Sequence, residues 1–279
     1  MELLDWIPAD SLSYQMLHFN KNALDYLEKK QVYMASSIMC TNPSAIKYLY
    51  RDPSLLKEGI WFKNKNPAII PILEKCEYID SPWVQEQLLE NPHALHLVKP
   101  HYIKHNLYNL CKNTNPLAID LMEYYLDNAD NVTDVVWDAI GKNPSALKLI
   151  VKYFDKMRWK SLSENPGAIH ILLQNPDEIR WSTFSKNTHP LAIEHIRKNL
   201  NKVDWVCLNM NPAAIDILKE NPDKIVGYWL SCNFAIFEYN YTKMATERID
   251  IIRDELISVA LHPSRVCKWL KQGLTLADI

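Results

Sequence analysis

Asn165-Pro166-Gly167-Ala168-Ile169-His170-Ile171-Leu172 and Asn211-Pro212-Ala213-Ala214-Ile215-Asp216-Ile217-Leu218 are two statements of one string. Asparagine accepts a hydrogen bond from a free N–H at a helix start, and proline suits the first helical position, so the string marks where a helix begins. With the alanine as position zero, the +1, +3 and +4 positions are apolar and form a wide stripe on one helix face. The +2 and +5 positions lie on the opposite face. They carry Asp25, Lys47, His96, Asp120, Lys148, His170, Glu194 and Asp216, then Glu74, Lys99, Glu123, Arg197 and Lys219, and that face meets solvent or a partner.

The string recurs from Asn42, Asn91, Asn115 and Asn143. Two variants fill the gaps: Asn66-Pro67-Ala68-Ile69 has isoleucine at the alanine position, and His189-Pro190-Leu191-Ala192 has histidine at the asparagine position. Degenerate copies, centred on Ala23 and Ala235, flank the set, which gives ten copies at a mean step near 24 residues. Trp61, Trp83, Trp137, Trp159, Trp181 and Trp205 each precede the next copy and mark a second helix between Asn-Pro helices. Asn175-Pro176, Asn221-Pro222 and Asp52-Pro53 read as caps of such second helices. A unit this short cannot bury a core alone, so it must stack on its neighbours. The expected fold is all-α: one domain, an α-solenoid of about ten short helical hairpins. Its repeats occupy 20–240, with an N-terminal cap over 1–19 and a C-terminal helical cap over 241–279. Uniform stacking predicts an open body about 70 to 90 Å long. In the C-terminal cap, a helix over 242–261 should turn Ile249, Ile252, Leu256 and Val259 inward.

The 279 residues carry a net charge of −2, which lacks the electrostatic footprint of a dedicated binder of nucleic acid or acidic membrane. Five glycines are too few for the phosphate-cradling and dinucleotide loops that need them. The six cysteines, Cys40, Cys76, Cys111, Cys207, Cys232 and Cys267, show no CxxC and no clustered framework, and read as reduced, mostly buried small hydrophobes. No leader-like start precedes the repeats, and the longest largely apolar run, 225–237, falls short of a membrane span, so a cytoplasmic location is expected.

The repeated string, the preceding tryptophans and the closing His262-Pro263-Ser264-Arg265-Val266-Cys267-Lys268-Trp269-Leu270 resemble the Asn-Pro repeat proteins abundant in giant DNA viruses of amoebae. The likeness spans residues 20–270. It implies a multi-copy viral family of helical repeat proteins without an established enzymatic activity, binding host or viral proteins in the host cytoplasm. No catalytic residues come with it. The first and last copies depart from the pattern by losing the proline, as capping units do.

One cluster has metal-ligand spacing: His93, His96, His101 and His105 form HxxH and HxxxH pairs. Pro100 separates the pairs and neither holds the glutamate of HExxH, so surface histidines are the plainer reading. Serine and cysteine sit in repeat positions without a Gly-x-Ser-x-Gly or Cys-His pattern, so neither an enzyme nor a cofactor is expected. A helical-repeat reader of nucleic acid needs a repeated basic or stacking column, and the +2 column mixes signs. The expectation is therefore a non-enzymatic protein-interaction scaffold or adaptor. Nucleic-acid binding is the alternative, the partner-binding residues are undefined, and self-association through a solenoid edge stays open.

Overall fold

A computed structural model describes residues 1–31, 39–57, 60–129, 131–273 and 275, apart from the side chains at 247, 251 and 254. Among these residues the chain is mostly helical; the β-structure is one two-stranded sheet, Glu2–Leu3 with Phe237–Glu238. It divides into two compact units, Leu3–Phe237 and a smaller one of Met1–Glu2 with Glu238–Ile279.

Within Leu3–Phe237 the Asn-Pro strings start helices as their chemistry requires. The side chains of Asn42, Asn165 and Asn211 each accept the N–H two residues on. Proline offers no N–H, and the first main-chain bond runs three residues back, from Ala168 N to Asn165 O at 3.2 Å and from Ala214 N to Asn211 O at 3.1 Å. The chain thus enters through a short 3-10 turn, Pro166–Ala168 or Pro212–Ala214, and continues as Ile169–Gln174 or Ile215–Glu220.

Burial follows two columns. Position zero is sealed in Ala23, Ala45, Ile69, Ala94, Ala118, Ala146, Ala168, Ala192 and Ala214, and +4 is sealed in Leu27, Leu49, Leu73, Met122, Ile150, Leu172, Ile196 and Leu218. The +1 and +3 columns are mixed, and Leu147 is exposed. The core stripe is narrower than the sequence pattern because the small residue at zero lets the neighbouring unit approach there. In the last copy the sealed residue is Ile236, so its register is one residue later than the alanine count implies. Of the tryptophans, Trp61 and Trp137 are core, Trp159, Trp181 and Trp205 are half-buried, and Trp83 is exposed. Asn175 and Asn221 do not cap second helices: each donates through Nδ2 to a carbonyl four residues back, Ile171 O and Ile217 O at 2.8 Å, and so closes the preceding helix. Asp52 does cap, accepting Ser54 N at 3.0 Å.

The units are joined by a feature that the capping reading does not contain. Asn20, Asn42, Asn64, Asn91, Asn113, Asn143, Asn165, Asn187, Asn211 and Asn233 are all buried. In each, Oδ1 accepts the N–H two residues on, at 2.8–3.0 Å. From Asn42 to Asn233, each Nδ2 donates to two carbonyls of the preceding unit: that of its ladder asparagine and that of the residue two before it, at 2.8–3.1 Å. A primary amide is suited to this because it offers two donors and an acceptor from one planar group. In three copies the ladder residue is not the one before proline: Asn64, Asn113 and Asn187 take the ladder, while Asn66, Asn115 and His189 cap.

The ladder has no ends. Asn20 Nδ2 donates to Ser231 O at 3.1 Å and to Asn233 O at 2.7 Å, the same pair of bonds that every other step makes. Leu4 N to Ile236 O, Ser13 N to Ser231 Oγ and Asn22 Nδ2 to Phe234 O, at 2.8–2.9 Å, fasten the seam. Leu3–Phe237 therefore closes on itself, which corrects the expectation of an open body with free edges. The tenth asparagine of the ladder is thereby bonded to the first. The segment over 1–19 helps fasten this seam and does not shield a free end. In the smaller unit, Tyr241–Ala260 and Pro263–Lys271 are helices, but Ile249, Leu256 and Val259 are 54, 55 and 51 % exposed and so do not turn inward.

Candidate protein-interaction surface

The +2 and +5 columns are held by ion pairs that run from one unit to the next. Lys47 Nζ meets Asp25 at 3.1 Å and Glu28 at 2.9 Å, and the Tyr48 hydroxyl donates to Glu28 at 2.5 Å. Lys148 reaches Glu123 at 2.5 Å and Asp120 at 4.0 Å, while Lys152 spans Glu123 and Asp127 at 3.0 and 2.7 Å. Arg197 pairs with Glu220, and His96 Nε2 lies 3.6 Å from Glu74. The hydrogen bonds from Lys148 and Lys152 hold the Glu123 carboxyl below its ordinary range, and those from Lys152 and Tyr153 do so for Asp127. Exposed pairs of this kind add little stability and give the surface a fixed pattern of charge.

The Tyr48 hydroxyl, followed by the Lys47 ammonium, likewise keeps Glu28 below the usual carboxylate range. A depressed folded-state pKa contributes stability above the unfolded value and loses it as pH falls through the folded one. Tyr48→Phe is therefore expected to raise the Glu28 pKa, read by NMR titration. Its melting temperature should lie below that of the parent at neutral pH and converge on it in acid. A Glu28 titration unchanged by the substitution would show that the hydroxyl contributes nothing.

Clefts open among the described residues. The first, about 460 Å³, is lined by the variable residues His93, His96, Leu117 and Asp120 of adjacent copies and by Leu95 and Leu121 of their apolar columns. Leu117, the residue between proline and alanine, is 66 % exposed there. The second, about 680 Å³, adjoins the longer segment Asp127-Asn128-Ala129-Asp130-Asn131 between two copies and is lined by Trp137, Tyr153 and Arg158 among others, Asp130 lying outside the described residues. The third, about 610 Å³, lies beside the ladder between Asn113 and Asn143 and brings together Lys65, Lys112, Lys142, Tyr108, Thr114 and Asp138.

Lysines flank the ladder asparagines as Lys21, Lys63, Lys65, Lys112, Lys142 and Lys186. Counting columns from the alanine hides them; counting from the ladder asparagine reveals them. Glu90 holds Lys63 and Lys112 at 3.1 and 3.0 Å, and Glu164 holds Lys142 at 3.3 Å.

His93, His96, His101 and His105 are all exposed. His96 faces Glu74 and the His101 ring lies tilted against Tyr102, with centroids 4.2 Å apart. Among the described residues no three metal-ligating side chains converge. All six cysteines are free thiols. Burial pushes the Cys111 thiol up to about 12 and raises Cys40, Cys207 and Cys232, which disfavours the thiolate a nucleophile needs. Among the described residues no helix is long and apolar enough to cross a membrane. No family model, curated protein or solved structure matches the chain.

Proposed function

We propose that this chain is a non-enzymatic protein-interaction scaffold: an α-solenoid of about ten helical hairpins closed into a ring, whose partners, host or viral proteins by the resemblance above, bind its variable exposed columns. One observation carries the reading. The residues that the copies share are taken up by the fold, the asparagines in the ladder and the alanines and +4 aliphatics in the core. The residues that differ, among them His93, Leu117, Lys148 and His170, stand on the surface. A fold whose constant positions are internal and whose variable ones are external is suited to recognising a protein surface through varied chemistry.

The test is affinity capture from the protein's natural setting, with and without nuclease and at low and high salt. Discrete proteins should survive both treatments. Leu117→Asp, at a position open enough to leave folding alone, should lose at least one of them while keeping the parent melting temperature. Capture that is indifferent to Leu117→Asp and to changes at Lys148 would remove this face from the proposal. The second reading, nucleic-acid binding, draws on the lysines beside the ladder. Recovery of nucleic acid alone, lost steeply with added salt, would put it first.

A further inference from the structure

The helix Tyr241–Ala260 carries an apolar seam, Ala245, Ile249, Ile252, Leu256 and Val259, spaced four, three, four and three residues apart. That alternation is the 3.5-residue period of helices that pair side by side, and Met244 and Ile257, each 49 % exposed, widen the apolar surface beside it. Three of its aliphatic members are more than half exposed, and Ala245 is exposed as well.

The geometry points to a second copy of this chain as what covers the seam, with the two Tyr241–Ala260 helices antiparallel. The charges beside the seam select both occupant and direction. Arg248 and Glu255 flank it on one side and Arg253 on the other. A parallel pair would set Arg248 of each copy against Arg253 of the other, like against like. An antiparallel pair aligns Ile249 with Ile252 and Ala245 with Leu256, and sets Arg248 of each copy against Glu255 of the other. The two-fold axis thus turns one flank into two ion pairs. Such flanking pairs fix orientation more than they add affinity, which the aliphatic seam supplies. Twenty helical residues span about 30 Å, enough for Ala245, Ile249, Ile252 and Leu256 to meet seam counterparts, while Val259 falls opposite Thr242.

The inference is independent of the scaffold reading, and the full chain tests it. Light scattering at low and high protein concentration should approach twice the 32.5 kDa chain mass. Ile249→Asp with Leu256→Asp should give a chain of single mass whose thermal transition matches the parent. Arg248→Glu should weaken the dimer about fivefold, and adding Glu255→Arg to it should restore the parent dissociation constant. A parent that stays at 32.5 kDa at every concentration would overturn the proposal, as would a double aspartate variant that still dimerises. Tighter association of Arg248→Glu would also overturn it, since only the parallel pairing is relieved by that change.

Discussion

Asn187→Ala is expected to lower the unfolding free energy by about 3 kcal/mol, and His189→Ala, two residues away in the same copy, by only about 1 kcal/mol. The contrast follows from a division of labour. His189 caps a helix, its Nδ1 accepting Leu191 N at 3.2 Å, and beyond that its ring only meets the His170 ring edge to face. Asn187 is sealed from solvent; its Nδ2 donates to Ser163 O and Asn165 O, both at 3.0 Å, and its Oδ1 accepts His189 N at 3.0 Å. Truncation to alanine removes three buried bonds worth about 1 kcal/mol each net and strands their partners. Asn187→Asp should be worse, because a carboxylate would face two carbonyl oxygens and bury a charge. Thermal melts decide it: a loss of roughly 6–12 °C is expected for Asn187→Ala against about 2–4 °C for His189→Ala. Equal losses would mean that capping is the whole role of the asparagines. By the same reasoning the cap value of about 1 kcal/mol, which the string alone suggests for Asn211, is too small, since Asn211 also donates to Ser185 O and Asn187 O at 3.0 and 2.9 Å.

What could be read from the sequence is what adjacent residues decide among themselves. Asn-Pro starts a helix wherever it occurs as in Asn42-Pro43, and the alanine column is buried because a helix start places it against the next unit. The ladder was half legible. Asparagines stand 22 residues apart at 20, 42 and 64, at 91 and 113, at 143, 165 and 187, and at 211 and 233. Following the proline instead leads to Asn66, Asn115 and His189 and breaks that spacing. Asn175-Pro176 shows the opposite failure, where the same dipeptide closes a helix because its side chain meets a carbonyl of the turn behind it. Closure was not legible at all. It is made by bonds between residues more than 200 positions apart, such as those from Asn20 to Ser231 and Asn233, and no local pattern encodes such a pairing. The lysines flanking the ladder were missed for a related reason: they form a column only in the frame of the ladder itself.

Gly227→Ala carries the second large effect, and its sign separates a closed body from an open one. Glycine at the start of the helix Gly227–Leu230 is a poor helix former, so in an open stack the change to alanine would be neutral or gain up to about 1 kcal/mol. In the closed body a Cβ at Gly227 would lie 2.0 Å from Ser11 O and 2.7 Å from the Ser11 carbonyl carbon. Those are main-chain atoms of the segment that fastens the seam, and they cannot rotate away as a side chain could. Relief requires Ser11 to retreat by more than an ångström, which pulls on the bond from Ser13 N to Ser231 Oγ at 2.8 Å and, through the chain, on Asn20. Overpacking of this kind costs about 1–3 kcal/mol, so a net loss of about 2 kcal/mol, or roughly 4–8 °C in Tm, is expected. The loss should also be localised. A body without ends has no terminal unit to fray, so amides around the parent ladder should exchange at similar rates. In Gly227→Ala those of Ser13 and Asn22 should lose protection before those of Gly167 or Ala213. A variant that melts at or above the parent temperature, with Ser13 still protected, would mean that the seam is not in contact and that the asparagine ladder ends at Asn233.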